Sequence, residues 1–209
     1  MLKKIIKTLI VKILPDKMFM LKGSSAERVL YLTFDDGPTP EVTDKLITLL
    51  KQYDAKATFF MIGKKLQQNE SLGLDVIENG HAVGNHSYDH IGFGRLSLKK
   101  QIKQAVDADL CIRKVNAGAE RLFRAPQGHW RASLVFNLFL KGFKSVHWSY
   151  DSLDYSNSSA GTIIENFHEA PVSNGEILLF HDDSTKCIDV LEKMLPSWKE
   201  QGFKFEVIQ

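Results

Sequence analysis

Five short groups of polar and ionisable residues stand out in this sequence, because each follows directly after an apolar run. The groups are, in chain order, Asp35-Asp36-Gly37-Pro38, His86-Ser87-Tyr88-Asp89-His90, Arg124-Ala125-Pro126-Gln127-Gly128, Asp151-Ser152-Leu153-Asp154 and His181-Asp182-Asp183. Paired histidines with a carboxylate are typical metal ligands, and a further carboxylate and histidine suit proton transfer. The set predicts metal-assisted hydrolysis.

Each group also has a plainer interpretation when it is taken alone. Asp-Asp-Gly-Pro is more often a turn than a site, and two histidines four residues apart arise by chance. An arginine followed by proline and glycine can be loop punctuation, and a lone histidine at a strand end is usually a satisfied polar group. Five such coincidences on one face of one sheet are improbable together, so we favour a functional interpretation of the whole set.

The residue types divide into plausible chemical tasks. His86 and His90 can reach one cation if their segment makes a helical turn, and one carboxylate of the first group completes three protein ligands. The neighbouring carboxylate can act as a general base on water, with Arg124 holding it ionised. His181 can protonate a leaving amine.

The elements that position these groups follow from the alternation of strand-type and helix-type segments. Seven apolar runs, rich in β-branched and aromatic residues, are predicted strands. They are Val29–Phe34, Lys56–Ile62, His81–Asn85, Arg121–Arg124, Phe143–Trp148, Glu176–His181 and Phe203–Ile208. Six helices between them indicate one α/β domain with a parallel sheet, either open or closed into a barrel. In a parallel barrel the residues that follow the strands share one face.

Helix boundaries are indicated by capping residues. Thr39 with Pro40 predicts a helix that has proline at its first position, and Ser97 predicts the start of another. Gly80, Gly142 and Gly202 lie where helix C-caps are expected, each just before a predicted strand.

The ordered groups resemble the motifs of the polysaccharide deacetylases of carbohydrate esterase family four, the NodB-homology domain. The resemblance covers the chain from about Val29 to its C-terminus. It implies a distorted seven-stranded (β/α) barrel and an enzyme that removes N-acetyl groups from amino sugars of a poly- or oligosaccharide. It also implies a divalent metal ion as cofactor, with zinc preferred and cobalt, nickel or manganese compatible.

The resemblance assigns roles residue by residue. It implies that Asp35 is the base, contacted by Arg124, and that Asp36, His86 and His90 are the metal ligands. The remaining implied roles belong to residues that contact the substrate, to the general acid and to the residue that supports it. These are the backbone N–H of Gln127 for the oxyanion, Leu179 for the acetyl methyl group, and His181 as the acid supported by Asp154. The fourth motif usually ends in tryptophan, whereas this chain has Tyr155.

Several other residues are candidates for substrate contact. Asp151 and Tyr155 lie within or beside the fourth motif, and His129 directly follows the third. Trp130 and Trp148 can offer stacking surfaces for a sugar ring, although core packing is the commoner use of tryptophan. Most connecting segments are short and should leave a groove that is open at its ends, while the longest motif loops carry Tyr88, Phe93, Arg95 and Tyr155. This predicts activity on short N-acetylated oligosaccharides, or on a lipid- or polymer-linked amino sugar, with little on a free monosaccharide.

Composition excludes some partners. A net charge of +2 is too small to indicate nucleic acid. Residues 2–14 predict a basic amphipathic helix, which either packs on the domain or touches a membrane surface peripherally. It lacks both the roughly 20 apolar residues of a membrane span and a signal-peptide cleavage site. We therefore predict a lead-in at 1–22, a catalytic domain at 23–209, and a location in the cytoplasm or at the membrane face.

Three competing functions remain open from the residues alone. Two histidines and a carboxylate also describe the facial triad of non-haem iron oxygenases, but that function leaves Asp35, Arg124 and His181 without a task. A metal-dependent amidase acting on a small non-glycan amide would keep every catalytic residue. A catalytically inactive carbohydrate-binding domain would be favoured by loss of a ligand or of the base, and neither is lost.

Overall fold

A computed structural model describes residues 15–24 and 26–209 as a parallel sheet flanked by helices. The strands are β1 (Phe19–Met20), β2 (Val29–Asp35), β3 (Ala57–Met61), β4 (Ala82–Asn85), β5 (Leu122–Phe123), β6 (Lys144–Val146), β7 (Tyr150–Asp151), β8 (Ile177–His181) and β9 (Lys204–Phe205). The helices are α1 (Val42–Gln52), α2 (Gly63–Gln68), α3 (Glu70–Glu78), α4 (Leu98–Val115), α5 (Ala132–Leu140), α6 (Ala160–Glu169) and α7 (Lys186–Glu200).

The sheet has the spatial order β1-β6-β5-β4-β3-β2-β8-β7, and β9 pairs with the start of β2. Every pair of neighbouring strands is parallel. Among the described residues no ladder joins β1 to β7, so the curled sheet stays open between these two edges. The curled parallel sheet and its helices form a distorted (β/α) barrel, as predicted, and this barrel is incomplete on one side.

All seven predicted strands are present, each shorter or longer by a few residues. The sheet has nine strands because it also contains β1 and β7, which have two residues each. A two-residue strand is too short to show any periodicity, so its neighbours alone determine it. β1 lies inside the predicted lead-in and pairs with β6, which joins that part of the lead-in to the sheet.

The core occupies both faces of the sheet. β3 is buried along its whole length, and β2 at all but one residue, which explains their nearly continuous apolar sequences. On the helix-covered face the rings of Phe34 and Phe59 stack with centroids 4.9 Å apart. On the opposite face Phe60 belongs to a second apolar cluster with Val146 and Ile177. Because β2 and β3 are packed on both faces, the positions of their C-terminal ends, which carry polar groups, are held in place.

Helix boundaries follow the predicted caps in part. Ser97 is the N-cap of α4, as predicted, and Gly80, Gly142 and Gly202 have φ values of 80°, 79° and 84°. The prediction that a helix starts at Pro40 is wrong: α1 begins at Val42, because Glu41 has a left-handed backbone with φ 68°. The chain also has one helix more than predicted between the strands, because Asn69 separates α2 from α3.

Residues 1–14 lie outside the described part of the chain, and so does the amphipathic helix predicted at 2–14. In the described part, none of the helices has both the length and the apolar character needed to cross a membrane.

Candidate metal centre and active site

The polar groups meet at the carboxyl edge of the sheet, as expected for parallel strands. Asp35 and His181 are register partners on β2 and β8, so the first and fifth groups begin side by side. Asn85 and Phe123 are partners on β4 and β5, which brings the second and third groups together. The edge encloses a cavity of about 320 Å³. Its lining residues are Asp35, Asp36, His86, His90, Gln127, Trp148, Asp151, Tyr155, Leu179, His181 and Asp183.

Three of these residues form a cluster that can hold a metal ion. Asp36, His86 and His90 each offer one ligand atom, and these atoms lie within 4.8 Å of one another. Asp36 Oδ1 is 3.6 Å from His86 Nε2 and 3.4 Å from His90 Nε2. Two nitrogens and one oxygen around one point match the three-ligand pattern of catalytic zinc sites.

The protonation and bonding of the cluster fit a cation. Asp36 Oδ1 is buried and has no hydrogen-bond partner, which is costly unless an ion completes the site. His86 Nδ1 faces the carbonyl of Arg124 at 3.0 Å, an arrangement that leaves Nε2 free to bind a metal. Burial lowers the pKa of His86 to about 3, so its imidazole is neutral, as a ligand must be. The donor set therefore suits a divalent ion.

The segment between the two histidines is an irregular turn. The helical turn on which their convergence was predicted is absent, since Ser87 and His90 have φ values of 70° and 64°. The turn is held from outside: Gln104 Oε1 accepts from the backbone N–H groups of Tyr88 and Asp89. The backbone N–H of His90 donates to Ser87 Oγ. Side chains from α4 and from the turn itself thus take the place of helical hydrogen bonds.

Asp35 forms a buried ion pair beside the metal cluster. Arg124 is fully buried, and its Nη1 donates to Asp35 Oδ1 at 2.8 Å and to Thr33 Oγ1 at 2.7 Å. Burial raises the pKa of the Asp35 carboxyl above its ordinary value, and the Arg124 charge opposes that shift. Asp35 Oδ2 remains 3.6 Å from His86 Nε2. One carboxylate oxygen is therefore anchored, and the other lies next to the metal cluster.

His181 is paired with Asp154 through two contacts. Asp154 Oδ1 lies 2.7 Å from His181 Nδ1, and Asp154 Oδ2 accepts from the His181 backbone N–H at 2.8 Å. Burial alone would lower the pKa of His181, but the hydrogen bond and charge of Asp154 raise it to about 9. With this pKa the imidazole is cationic at neutral pH. With Nδ1 engaged, Nε2 is the nitrogen that can give up a proton.

The cavity also collects most of the predicted substrate-contact residues. Gln127, Asp151, Tyr155 and Leu179 all line it. Gln127 has a left-handed backbone with φ 54°, and the Tyr155 ring stands edge-on to His181 with centroids 5.2 Å apart. His129 lies outside the lining, and its Nε2 is 3.1 Å from Gln127 Oε1.

Two lining residues were candidates to which the sequence gave no definite role in the site. Asp183 belongs to the fifth polar group, and its place two residues after His181 was the available signal. Trp148 precedes the fourth group and lines the cavity while packing against His147, with ring centroids 3.9 Å apart. The residues around Trp148 in the sequence do not show whether it lines a cavity or packs in the core.

Comparison with known proteins agrees with this site. The family model described as polysaccharide deacetylase matches residues 22–146. A peptidoglycan-N-acetylglucosamine deacetylase of Bacillus cereus is 34% identical over 187 residues, which cover 87% of each chain. A chitooligosaccharide deacetylase of Azorhizobium caulinodans is 34% identical over 85% of this chain and 91% of its own.

A solved structure gives the same result for the fold. The Bc1960 peptidoglycan N-acetylglucosamine deacetylase superposes with a TM-score of 0.86 at 26% identity. The match covers 92% of this chain and 91% of that one. From its sequence relatives and from its barrel alike, this chain belongs to the polysaccharide deacetylase family.

Proposed function

We propose that this enzyme is a metal-dependent deacetylase that removes N-acetyl groups from amino sugar units of a glycan. The observation that carries the proposal is the presence, in one cavity, of a metal-ligand cluster, an anchored carboxylate and a carboxylate-paired histidine. Hydrolysis of an acetamide needs an activated water, a base and an acid, and these three sets supply the corresponding groups.

Asp36, His86 and His90 would hold the metal, and zinc suits their nitrogen and oxygen donors best. A bound divalent ion would polarise the acetamide carbonyl and lower the pKa of water in the site. The backbone N–H of Gln127 would donate to the carbonyl oxygen as negative charge develops on it. Leu179 would contact the acetyl methyl group with its apolar side chain.

Asp35 is the proposed general base. Its Oδ1 is held by Arg124 Nη1, so its free Oδ2 can accept the proton of the attacking water. The guanidinium also favours the ionised form of the carboxylate, which a base must have before it accepts a proton. We assign Arg124 as a positioning residue, since it acts on the reaction through Asp35.

His181 is the proposed general acid. Its Nδ1 is bonded to Asp154, so a proton on Nε2 can pass to the departing amine. The Asp154 carboxylate stabilises the imidazolium before transfer and fixes the ring orientation. Tyr155 stands edge-on beside the ring, where the family pattern has tryptophan. We propose that it takes the place of that tryptophan as a wall of the acetyl pocket.

The pH dependence of turnover tests the acid. Activity should fall as pH rises through the pKa of His181, because the acid must be protonated. The charge and hydrogen bond of Asp154 raise that pKa to about 9. A bound divalent cation nearby would lower it, because like charges disfavour the imidazolium. Asp154→Asn should move this alkaline limb to lower pH, because it removes the carboxylate that raises the pKa. The measurement is kcat/KM against pH for both proteins.

The double variant of the pair provides a check on this coupling. Once His181→Ala has removed the acid, adding Asp154→Asn should reduce activity little further, because the two groups act as one unit. Losses that multiply fully in the double variant would mean that His181 and Asp154 work separately.

The substrate is proposed to be a chain rather than a single sugar. Relatives named for peptidoglycan and for chitooligosaccharides support an N-acetylglucosamine-containing glycan. Sugar units bound away from the acetamide would help to position it. We expect kcat/KM on the N-acetylglucosamine tetramer to exceed that on the monomer by at least about tenfold, or roughly 1.4 kcal/mol of added transition-state binding. Equal values, or faster turnover of a small non-sugar amide, would favour the amidase instead.

A further inference from the structure

One buried carboxyl group beside the active site has no part in the proposed mechanism. Asp182 follows His181 directly, is 0% exposed and does not line the catalytic cavity. Its backbone N–H donates to Asp35 O at 2.8 Å, which continues the pairing of β2 with β8 to the ends of these strands. Asp182 therefore lies beside the start of the loop that carries the ligand Asp36.

The side chain of Asp182 is bonded to helix α1 through one hydroxyl group. Thr43 Oγ1 donates to this carboxyl, at 2.7 Å from Asp182 Oδ2 and 2.9 Å from Oδ1. The same Thr43 oxygen accepts from the backbone N–H of Thr39 at 2.8 Å, and Thr43 is itself fully buried. Because a hydroxyl can donate and accept at once, Thr43 links the end of the loop at Thr39 to Asp182.

The carboxyl of Asp182 also packs against the loop at Gly37. A Cβ atom at this glycine would lie 2.1 Å from Asp182 Oδ2 and 2.8 Å from its Cγ, so the carboxyl fills the space that a side chain would need. On its other side, Gly37 O accepts from the backbone N–H of Ile62 at 2.8 Å. The residue that follows Asp36 is therefore confined between the Asp182 carboxyl and the chain beyond β3.

Asp36 has two reasons to need such support. Its backbone is left-handed with φ 73°, a conformation that a residue other than glycine keeps only when its surroundings hold it. Its Oδ1 must also stay near His86 Nε2 and His90 Nε2, which lie 3.6 Å and 3.4 Å away. Metal–ligand distances tolerate deviations of only about 0.2 Å, so a small shift of the loop would weaken metal binding.

We propose that the Asp182 carboxyl and the Thr43 hydroxyl position Asp36 for metal binding, by holding its loop at Gly37 and Thr39. This inference rests on the proposed role of Asp36 as a metal ligand. Asp182 and Thr43 are positioning residues, since neither lines the catalytic cavity. The residue after the proposed acid thus supports the loop that carries the proposed base and a ligand, which couples the first polar group to the fifth.

Thr43→Val tests this inference, because valine has nearly the shape of threonine but no hydroxyl. Zinc affinity, measured by titration with a competing chelator, should fall by about tenfold, the lower end of the effect of removing a group that supports a ligand. Thr43→Ser keeps the hydroxyl and should keep the zinc affinity of the unmodified enzyme. Unchanged affinity in Thr43→Val overturns the inference.

Thr58→Val is the matched control for a general loss of stability. Thr58 is also fully buried, and its Oγ1 accepts from the backbone N–H of Ile208 at 2.9 Å, but it does not line the catalytic cavity. Both valine variants leave a buried N–H group without its acceptor, so both should have a lower melting temperature. Only Thr43→Val should lose zinc affinity. An equal loss in Thr58→Val would mean that Thr43 acts through stability alone and would overturn the inference.

Gly37→Ala tests the other side of the contact and serves if Thr43→Val does not fold. Its methyl group must displace the Asp182 carboxyl or the loop, so zinc affinity should again fall by about tenfold. Gly118→Ala is the control, since a Cβ there meets only Asn116 Oδ1 at 3.7 Å. Normal zinc affinity in Gly37→Ala counts against the inference. An unmodified enzyme that binds no zinc overturns both the inference and the metal centre, whereas normal zinc binding without deacetylation counts against the proposed function alone.

Discussion

Asp35→Asn should retain zinc and lose about 10²- to 10⁴-fold in kcat, the usual contribution of a general base. The amide cannot accept the proton of the attacking water, although its oxygen can still accept the hydrogen bond from Arg124 Nη1. Metal content by mass spectrometry and kcat on the acetylated tetramer are the two measurements. Retained metal with lost turnover is the signature of a base rather than a ligand.

The matched comparison is Asp36→Asn, which changes the adjacent carboxylate in the same way. Asp36 Oδ1 lies within reach of both ligand histidines, so this variant should weaken zinc binding itself. If Asp35→Asn and Asp36→Asn lose the same amount of zinc affinity, the assignment of one carboxylate as base and the other as ligand is wrong.

Stability needs a separate control in this comparison. Arg124 is fully buried, and in Asp35→Asn its charge loses the partner carboxylate. An uncompensated buried charge costs about 3–5 kcal/mol. We therefore expect a lower melting temperature for Asp35→Asn, and kinetics should be measured where circular dichroism shows the variant fully folded.

His86→Ala is the second variant with a large expected effect. His86 is a proposed ligand and is also anchored by the Arg124 carbonyl, so its removal deletes one of three donors. Zinc affinity should fall by more than the roughly 10–100-fold that loss of a supporting hydrogen bond produces. Activity should fall below detection at zinc concentrations that saturate the unmodified enzyme. Titration with a competing chelator measures the affinity.

His168→Ala is the control for the histidine substitution. His168 is exposed on α6 and does not line the catalytic cavity, so zinc affinity and activity should be unchanged. Exhaustive chelation of the unmodified enzyme completes the test. Turnover that survives chelation, or His86→Ala with normal activity, would rule out a metal-dependent reaction.

The strands and the edge that carries the chemistry were predictable from the sequence. Parallel strands buried on both faces have nearly continuous apolar sequences, and β2 and β3 show this most clearly. Polar residues after such runs must then lie at one edge, and the catalytic cavity is found there. Ser97 was also predictable as the N-cap of α4, because capping depends mainly on residues that are close in sequence.

The backbone of the metal loop was not predictable in the same way. The turn between His86 and His90 depends on Gln104, which lies in α4 and is distant in sequence. Local spacing suggested a helical turn because that is the shortest way to bring two such histidines together. The observed turn combines local bonds at its left-handed residues, Ser87 and His90, with the bonds from Gln104 that satisfy the two residues between them.

By itself the sequence determined the residue types, their order and the edge of the sheet where they gather. The family resemblance implied that Arg124 contacts Asp35, but only the tertiary structure decided which atoms meet. Arg124 Nη1 bonds Asp35 Oδ1, Asp36 Oδ1 has no hydrogen bond beside two histidines, and Asp183 and Trp148 line the cavity. Asp35 and Asp36 are adjacent in the chain, so composition and spacing alone cannot show which is the base and which is the metal ligand. Their difference comes from strand register and burial, which place β5 beside β4 and Arg124 beneath Asp35.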